Sequence, residues 1–430
     1  MTSRGPIPHE PTSHKTVPLR GLRLLVVCQY YFPEPFAITD ICEELVRRGH
    51  DVTVLTGLPN YPDGCVPEEY RHGAKRVETR NGVAIIRSFE IGRGAGTAKR
   101  LANYVSYCLS ASFKVLSLDS DYDAVLVYQL SPVTMAVPAV LYKWMHGTPV
   151  LLYCLDLWPE SLLAGGVREG SWLYGLILHV SRYLYSRADG IAVTSGAFRG
   201  YLEGTLGVDP ATISHIPQYA EDASLFESSA RRPAGSDSNS AEPRVINLMF
   251  SGNVGRLQSI DTIIKAADLL KTDRRFVFHI VGDGSSLAES RALVKELGLV
   301  NVVFYGRRPL EEMPDLYRIA DAMLVTLRNE PALSYTLPRK IQSYMIAGKP
   351  IIGAIGGEAR RVIREADCGI CCDAEDYRGL AGLCLRFAEL TTTKEMSVNA
   401  ARYYNSHYQK DAFFELLQAR LADLLQAAPP

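Results

Sequence analysis

The feature that most constrains this chain is a pattern that occurs twice. A short run apolar on both faces is followed by an amphipathic helical stretch and then by another apolar run. "LRLLVVC" (Leu22–Cys28), "AITDICEELVRRGH" and "DVTVLT" form the first such triplet. Apolar residues at consecutive positions fit a strand covered on both faces, and the helical period between two of them makes a βαβ unit of a parallel sheet. Further runs at "VAIIRSF", "AVLVYQ", "VLLYCLD" and "GIAVTS" extend the sheet, predicting a first domain over residues 21–217. The pattern restarts at "VINLMFSG" and continues through "RFVFHIVGDG", "VVFYG", "AMLVTL" and "PIIGAIG", predicting a second domain over 245–408. Residues 409–430 hold a last amphipathic helix, "DAFFELLQARLADLLQ". Residues 218–244 form a linker whose later part, Glu227–Arg244, is rich in Ser, Ala, Pro and Gly and reads as a flexible loop. The fold class is therefore α/β: two Rossmann-like parallel-sheet domains facing a cleft. Ligands of such sheets bind at the carboxyl ends of the strands.

Composition narrows the function. The net charge of −1 and the 47% hydrophobic content fit a globular protein and give no overall basic bias towards nucleic acid. Residues 1–20 are polar and proline-rich, and are expected to be a disordered tail. No apolar run is long enough to predict a membrane span. Nine scattered cysteines favour a reducing cytoplasm over a disulfide framework. Cys368, Cys371 and Cys372 have no second Cys/His pair at ligand spacing, so "GICC" reads as a buried strand and no metal site is expected.

Several glycine turns follow strands of the second half. "FSGNVGRLQS" places Gly252, Asn253, Arg256 and Gln258 between a strand and a helix. "IVGDGSS" repeats the arrangement at Gly282 and Asp283, and "FYGRRP" adds Arg307. Glycines there let backbone amides approach an anion, although a plain strand–helix turn has the same appearance. "YTLPRKIQSYMIAGKP" (Tyr335–Pro350) predicts a helix with Pro338 in its first turn, capped by Thr336 or Leu337. Arg339 and Lys340 then stand at the positive end of the dipole, which is unfavourable unless an anion lies between them. Repeated turns of this kind favour a nucleotide-diphosphate pocket.

Together with "GHDVTVLTGLPNYPDG", "YQLSPVTMAVPA", "YCLDLWPESL" and "LPRKIQSYMIAGKPIIGAIGGE", these motifs resemble the retaining glycosyltransferases of family 4, which have the GT-B fold. More narrowly, the chain resembles the bacterial capsule and O-antigen branch that includes L-fucosamine (N-acetylfucosamine) transferases. The resemblance runs from about Leu22 to the end of the chain. It implies a nucleotide-sugar donor, with UDP the expected nucleotide, on the second domain and the acceptor on the first. It also implies metal-independent chemistry with no cofactor, and a C-terminal helix crossing back onto the first domain. Many relatives carry an arginine and a lysine where this chain has Asn253 and Gln258, and two glutamates where it has Tyr335 and Ser343. Arg256, Arg339 and Lys340 are the candidate replacement cations, and Glu358 closes the donor-side motif.

In the first domain Asp156 ends the strand of "YCLDLWPES" and could orient the acceptor hydroxyl or take its proton, although an aspartate capping the next helix is the alternative. The histidine that many relatives carry three residues earlier is Tyr153 here. Glu34, after the first strand, is a second candidate cleft carboxylate. No side-chain nucleophile is expected, because in the usual proposal for retaining transfer the leaving phosphate assists a same-face attack.

"GRGAGTAKRLANYVSYCLSASFKVL" (Gly92–Leu116) is basic and aromatic. Arg93, Lys99, Arg100 and Lys114 flank Tyr104, Tyr107 and Phe113, which suits a helix lying on an anionic membrane, or a core helix with a solvated basic face. "SWLYGLILHVSRYLYSR" (Ser171–Arg187) is similar. The expectation is a cytoplasmic enzyme, peripheral at the inner face of the plasma membrane. It would transfer a sugar, such as an N-acetylated amino or deoxy hexose, to a polyprenyl-diphosphate-linked glycan of capsule, exopolysaccharide or O-antigen. The alternatives are a catalytically weak scaffold subunit and a non-hydrolysing sugar-nucleotide epimerase.

Overall fold

The computed structural model describes residues 21–94, 96–164, 166–220, 225–226 and 245–427. The expected tail over 1–20 and loop over Glu227–Arg244 lie outside them. The first domain contains β1 (Arg23–Val27), α1 (Ile38–Arg47), β2 (Asp51–Thr56), β3 (Val77–Arg80), β4 (Val83–Arg87), α2 (Thr97–Val115), β5 (Ala124–Gln129), α3 (Val137–His146) and β6 (Val150–Cys154). It continues with α4 (Glu160–Ala164), α5 (Trp172–Arg187), β7 (Gly190–Val193), α6 (Gly196–Gly204) and β8 (Ile213–His215). Its sheet order is β3-β4-β2-β1-β5-β6-β7-β8, parallel except for the β3–β4 hairpin. The strands read from the sequence are those buried on both faces: β5 and β6 are buried at every position. The hairpin strand β3, Val-Glu-Thr-Arg at the sheet edge, has no buried position and gives no such signal.

The second domain contains β9 (Ile246–Ser251), α7 (Ile260–Leu269), β10 (Phe276–Val281), α8 (Leu287–Glu296), β11 (Val302–Gly306), α9 (Met313–Ile319), β12 (Ala322–Thr326) and α10 (Pro331–Ser334). It continues with α11 (Lys340–Ile346), β13 (Ile351–Ala354), α12 (Gly357–Glu365), β14 (Gly369–Cys372), α13 (Tyr377–Glu389) and α14 (Thr393–His407). All six strands are parallel in the order β11-β10-β9-β12-β13-β14. Cys368–Cys372 contributes β14, and the nine cysteines are all free thiols.

The final helix, α15 (Lys410–Ala427), returns to the first domain. Phe413, Phe414, Leu417, Leu421 and Leu424 are buried in that domain's core. Lys410 pairs with Asp40 at 2.8 Å, Arg48 pairs with Asp411, and Gln418 contacts His50 at 2.8 Å. The helix therefore ties the two sheets together with their carboxyl ends facing one gap.

Candidate functional site

A cleft of about 770 Å³ opens between the domains, within the usual size range of small-molecule sites. Its floor is made by the turns after β9 and β10. Gly252 has φ +133° and Gly282 has φ +137°. A Cβ on Gly282 would lie 1.8 Å from the Gly252 carbonyl oxygen, so only glycine lets the two turns touch. The Gly252 N–H donates to the Val281 carbonyl and the Gly282 N–H to the Gly306 carbonyl, locking three strand ends side by side. Ser251 is fixed from behind by the Tyr344 and Tyr317 hydroxyls.

Helix α11 brings the cations. It begins at Lys340 with Arg339 as its N-cap, so Pro338 precedes the helix and does not occupy its first turn. The Pro338 carbonyl accepts the Ile341 N–H at 2.9 Å, while the Thr336 hydroxyl bonds back to Ala332, so neither expected cap is used. The Lys340 ammonium lies against Gly252, 3.9 Å from the centre of the Phe250 ring, and donates to Gln258 Oε1 at 2.6 Å. No carboxylate pairs with it among the described residues. Burial pushes its pKa down to about 7. A half-buried ammonium held, among the described residues, only by an amide and a ring is a cation short of an anion.

The structure gathers Gly252, Asn253, Gly282, Asp283, Arg307, Arg339 and Lys340 around this cleft, together with Ser343. Gln258 stands behind Lys340 as its hydrogen-bond acceptor. Arg256 does not reach the cleft. It heads a one-turn helical segment, Arg256–Gln258, that points it into a separate groove with Asp261, Lys265 and Arg328. Tyr335 is also turned away: its ring meets Tyr201 of the first domain at 5.5 Å, and its carbonyl accepts the Ser195 hydroxyl at 2.6 Å. Glu358 is buried and held in a bidentate pair by Arg361 at 2.8 and 2.9 Å, beside Gly196.

The first-domain candidates lie back from the cleft lining. Glu34 accepts the backbone N–H groups of Tyr31 (3.2 Å), Asn60 (2.8 Å) and Tyr61 (2.7 Å), bolting the loop after β1 to the loop after β2. Burial raises its pKa to about 7 against those three donors. Asp156 accepts the Ser131 hydroxyl at 2.8 Å, and Ser131 in turn accepts the Trp158 indole N–H at 3.0 Å. Burial raises the Asp156 pKa, while the Ser131 bond opposes that shift. This chain of bonds orients one carboxylate oxygen of Asp156. Tyr153, in the histidine's place, is buried and donates to the Ile216 carbonyl at 2.9 Å, a packing role.

Two Asp-x-Asp triplets, Asp119–Asp121 and Asp121–Asp123, lie at the amino end of β1. There Arg23 pairs with Asp121, and its N–H bonds Asp123 at 2.7 Å. They stand at the opposite end of the sheet from the cleft. Sequence reasoning did not single out Pro35, Tyr61, Pro62 and Asp63, which make the first-domain wall, or Arg308 and Met313 on the facing wall. The only signal was "NYPDG", a turn following a buried strand.

Comparison with known proteins agrees with this geometry. Residues 36–218 match the family model described as glycosyl transferase 4-like domain, and residues 237–403 match that of glycosyl transferases group 1. A probable glycosyltransferase, WbjE of Pseudomonas aeruginosa, is 29% identical over 60% of this chain and 65% of its own length. The putative colanic acid biosynthesis glycosyl transferase WcaI of Escherichia coli is 25% identical over 87% of this chain and 88% of its own. Among solved structures, HepE of Anabaena in complex with UDP and glucose superposes with a TM-score of 0.65 at 16% identity, covering 94% of this chain and all of that one. Sucrose-phosphate synthase from Thermosynechococcus elongatus gives 0.71 at 17%, covering 95% and all of that chain. Two parallel-sheet domains, glycine turns at their facing strand ends and consecutive matches to both halves lead to one assignment: the chain is a glycosyltransferase of GT-B fold, a glycosyl transferase 4-like domain followed by a group 1 glycosyl transferase domain.

Proposed function

We propose that this enzyme transfers a sugar, with retention, from a UDP-sugar to a lipid-linked glycan in the assembly of a bacterial surface polysaccharide. The observation that carries the donor half is Lys340, a half-buried ammonium with no anion among the described residues, set over the Gly252 and Gly282 turns. A diphosphate seated there meets the ammonium, Arg339 and Arg307, and the charge left on departure of the nucleotide is stabilised in place. HepE was solved with UDP and glucose at the same fold level, which supports the nucleotide. The donor reaction is metal-independent in this reading, with side-chain cations neutralising the diphosphate. The distant placement of both Asp-x-Asp triplets supports that. Asp156 receives or orients the acceptor hydroxyl.

The acceptor half rests on the surface of the first domain. Leu101, Val105, Leu109 and Phe113 form an exposed ridge along α2 at four-residue spacing, with Phe113 72% exposed. Trp144 on α3 and Trp172 on α5 are 83% and 80% exposed. Tyr107, expected among the surface aromatics, instead faces the core. Exposed apolar side chains beside Lys99 and Arg100 suit an anionic membrane surface, where a polyprenyl-linked acceptor resides. Among the described residues no helix is long and apolar enough to cross a membrane. The name of WcaI, a putative colanic acid biosynthesis glycosyl transferase, supports surface polysaccharide as the product, and an N-acetylated amino or deoxy hexose is the donor sugar we propose. A thermal-shift screen against UDP-, GDP- and dTDP-sugars, followed by measurement of nucleotide release, tests the reading. Stabilisation and turnover with UDP-sugars are expected, and no response to any nucleotide overturns it.

A further inference from the structure

The wall of the cleft opposite Lys340 is built differently from the donor floor. Its four first-domain residues are Pro35, Tyr61, Pro62 and Asp63, with no cation among them. Tyr61 is 37% exposed, and its ring is backed by Phe36 at 5.2 Å and Tyr30 at 6.3 Å; Phe36 stacks on Tyr30 at 5.2 Å and 19°. The backbone beneath the ring is fixed as well. Glu34 takes the N–H of both Asn60 and Tyr61. The Asn60 side chain donates to Leu58 at 2.9 Å and Glu90 at 3.2 Å, and accepts the Arg93 N–H at 3.1 Å. The side chain of Asp63 is exposed, two residues along, with no ion pair among the described residues.

We infer that Tyr61 is the stacking platform for the terminal sugar ring of the acceptor, with Asp63 accepting hydrogen bonds from its rim hydroxyls. This rests on the glycosyl-transfer reading above. A pyranose has one face of C–H groups and an edge of hydroxyls, and the complement of that shape is a flat aromatic face beside a hydrogen-bond acceptor. Because the ring is held before any ligand arrives, little ordering cost remains at binding. The carboxylate of Asp63 repels a diphosphate, so the anionic donor belongs on the facing wall and the neutral sugar on this one. Glu34 is then a positioning residue: it acts through the Tyr61 peptide and does not touch sugar.

The test uses saturation-transfer NMR of methyl glycosides of glucose, galactose, N-acetylglucosamine and fucose against the whole protein, with and without UDP. At least one glycoside should show transfer strongest at the C–H face. Tyr61→Phe should keep that signal. Tyr61→Leu should weaken binding about tenfold, and Asp63→Asn should weaken it less. UDP affinity should stay within about twofold in all variants, which also shows that they are folded. Absence of transfer from every glycoside, or equal transfer in Tyr61→Leu, overturns the platform. Loss of UDP affinity in Tyr61→Leu with glycoside binding intact also overturns it, by assigning the ring to the donor. Failure of the wild-type protein to bind UDP strikes the nucleotide reading, while the glycoside arm without UDP still decides on Tyr61.

Discussion

Replacing the Lys340 ammonium, or titrating it, should change donor binding in a calculable way. In the free protein its pKa is about 7, pushed down by burial from an ordinary 10.5. The protonated fraction therefore falls from about 0.9 at pH 6 to about 0.1 at pH 8. The diphosphate of a UDP-sugar is a diester whose charge does not change over that range. If it binds the ammonium form, its affinity should drop about tenfold between pH 6 and 8, about 1.4 kcal/mol. Binding at pH 8 should take up about 0.9 proton, since the bound anion restores the charge. The stability of the free protein runs the other way. The unfolded chain binds more protons between about 7 and 10.5, so burial of this lysine costs least at high pH and stability contributed here rises through that window. Calorimetric titration with a UDP-sugar at pH 6, 7 and 8, in buffers of different ionisation enthalpy, reads both quantities. Lys340→Met should weaken binding by about 1.5–3 kcal/mol at pH 6, the worth of a charge-assisted hydrogen bond, and flatten the profile. An affinity independent of pH without proton uptake, or the same profile in Lys340→Met, would refute the reasoning.

Asp156→Asn keeps an oxygen for the Ser131 hydroxyl but removes the proton acceptor; transfer to a hydroxyl acceptor should fall about 10²–10⁴-fold with UDP-sugar affinity unchanged, and activity within threefold of wild type would contradict that role. Glu34→Gln turns an amide N–H towards one of three backbone donors, so urea unfolding should show a loss of about 1–3 kcal/mol; unchanged stability with abolished turnover would make Glu34 a reacting group instead. Phe113→Asp together with Leu109→Glu should leave UDP-sugar affinity intact and abolish co-flotation with anionic phosphatidylglycerol vesicles; unchanged flotation would remove α2 from the membrane surface.

The two sheets were legible because their strands are buried on both faces, and a short run such as Ala124–Gln129, rich in valine and too brief for a helix, fits a strand covered on both sides. What escaped was structure without that pressure. The edge strand Val77–Arg80 and the three-residue strand Ile213–His215 bury too little to leave a pattern. At the site, glycines after strands and a lysine at a helix start were readable as local chemistry. The facing of individual side chains was not. Arg256 is diverted by a short helical segment ending at Ser259, which takes φ +49°, and no periodicity encodes that turn. Tyr335 and Glu358 face the first domain across a boundary that only the three-dimensional fold creates. Tyr61 lies in a loop whose position depends on Glu34 binding amides 26 and 27 residues away.

A crystal structure with a non-hydrolysable UDP-sugar analogue tests the central claim most directly. A diphosphate oxygen should lie within hydrogen-bond distance, about 3 Å, of Lys340 Nζ, above Gly252 and Gly282. Diphosphate bound instead in the groove lined by Arg256, Lys265 and Arg328, with Lys340 still on Gln258 alone, would contradict the account.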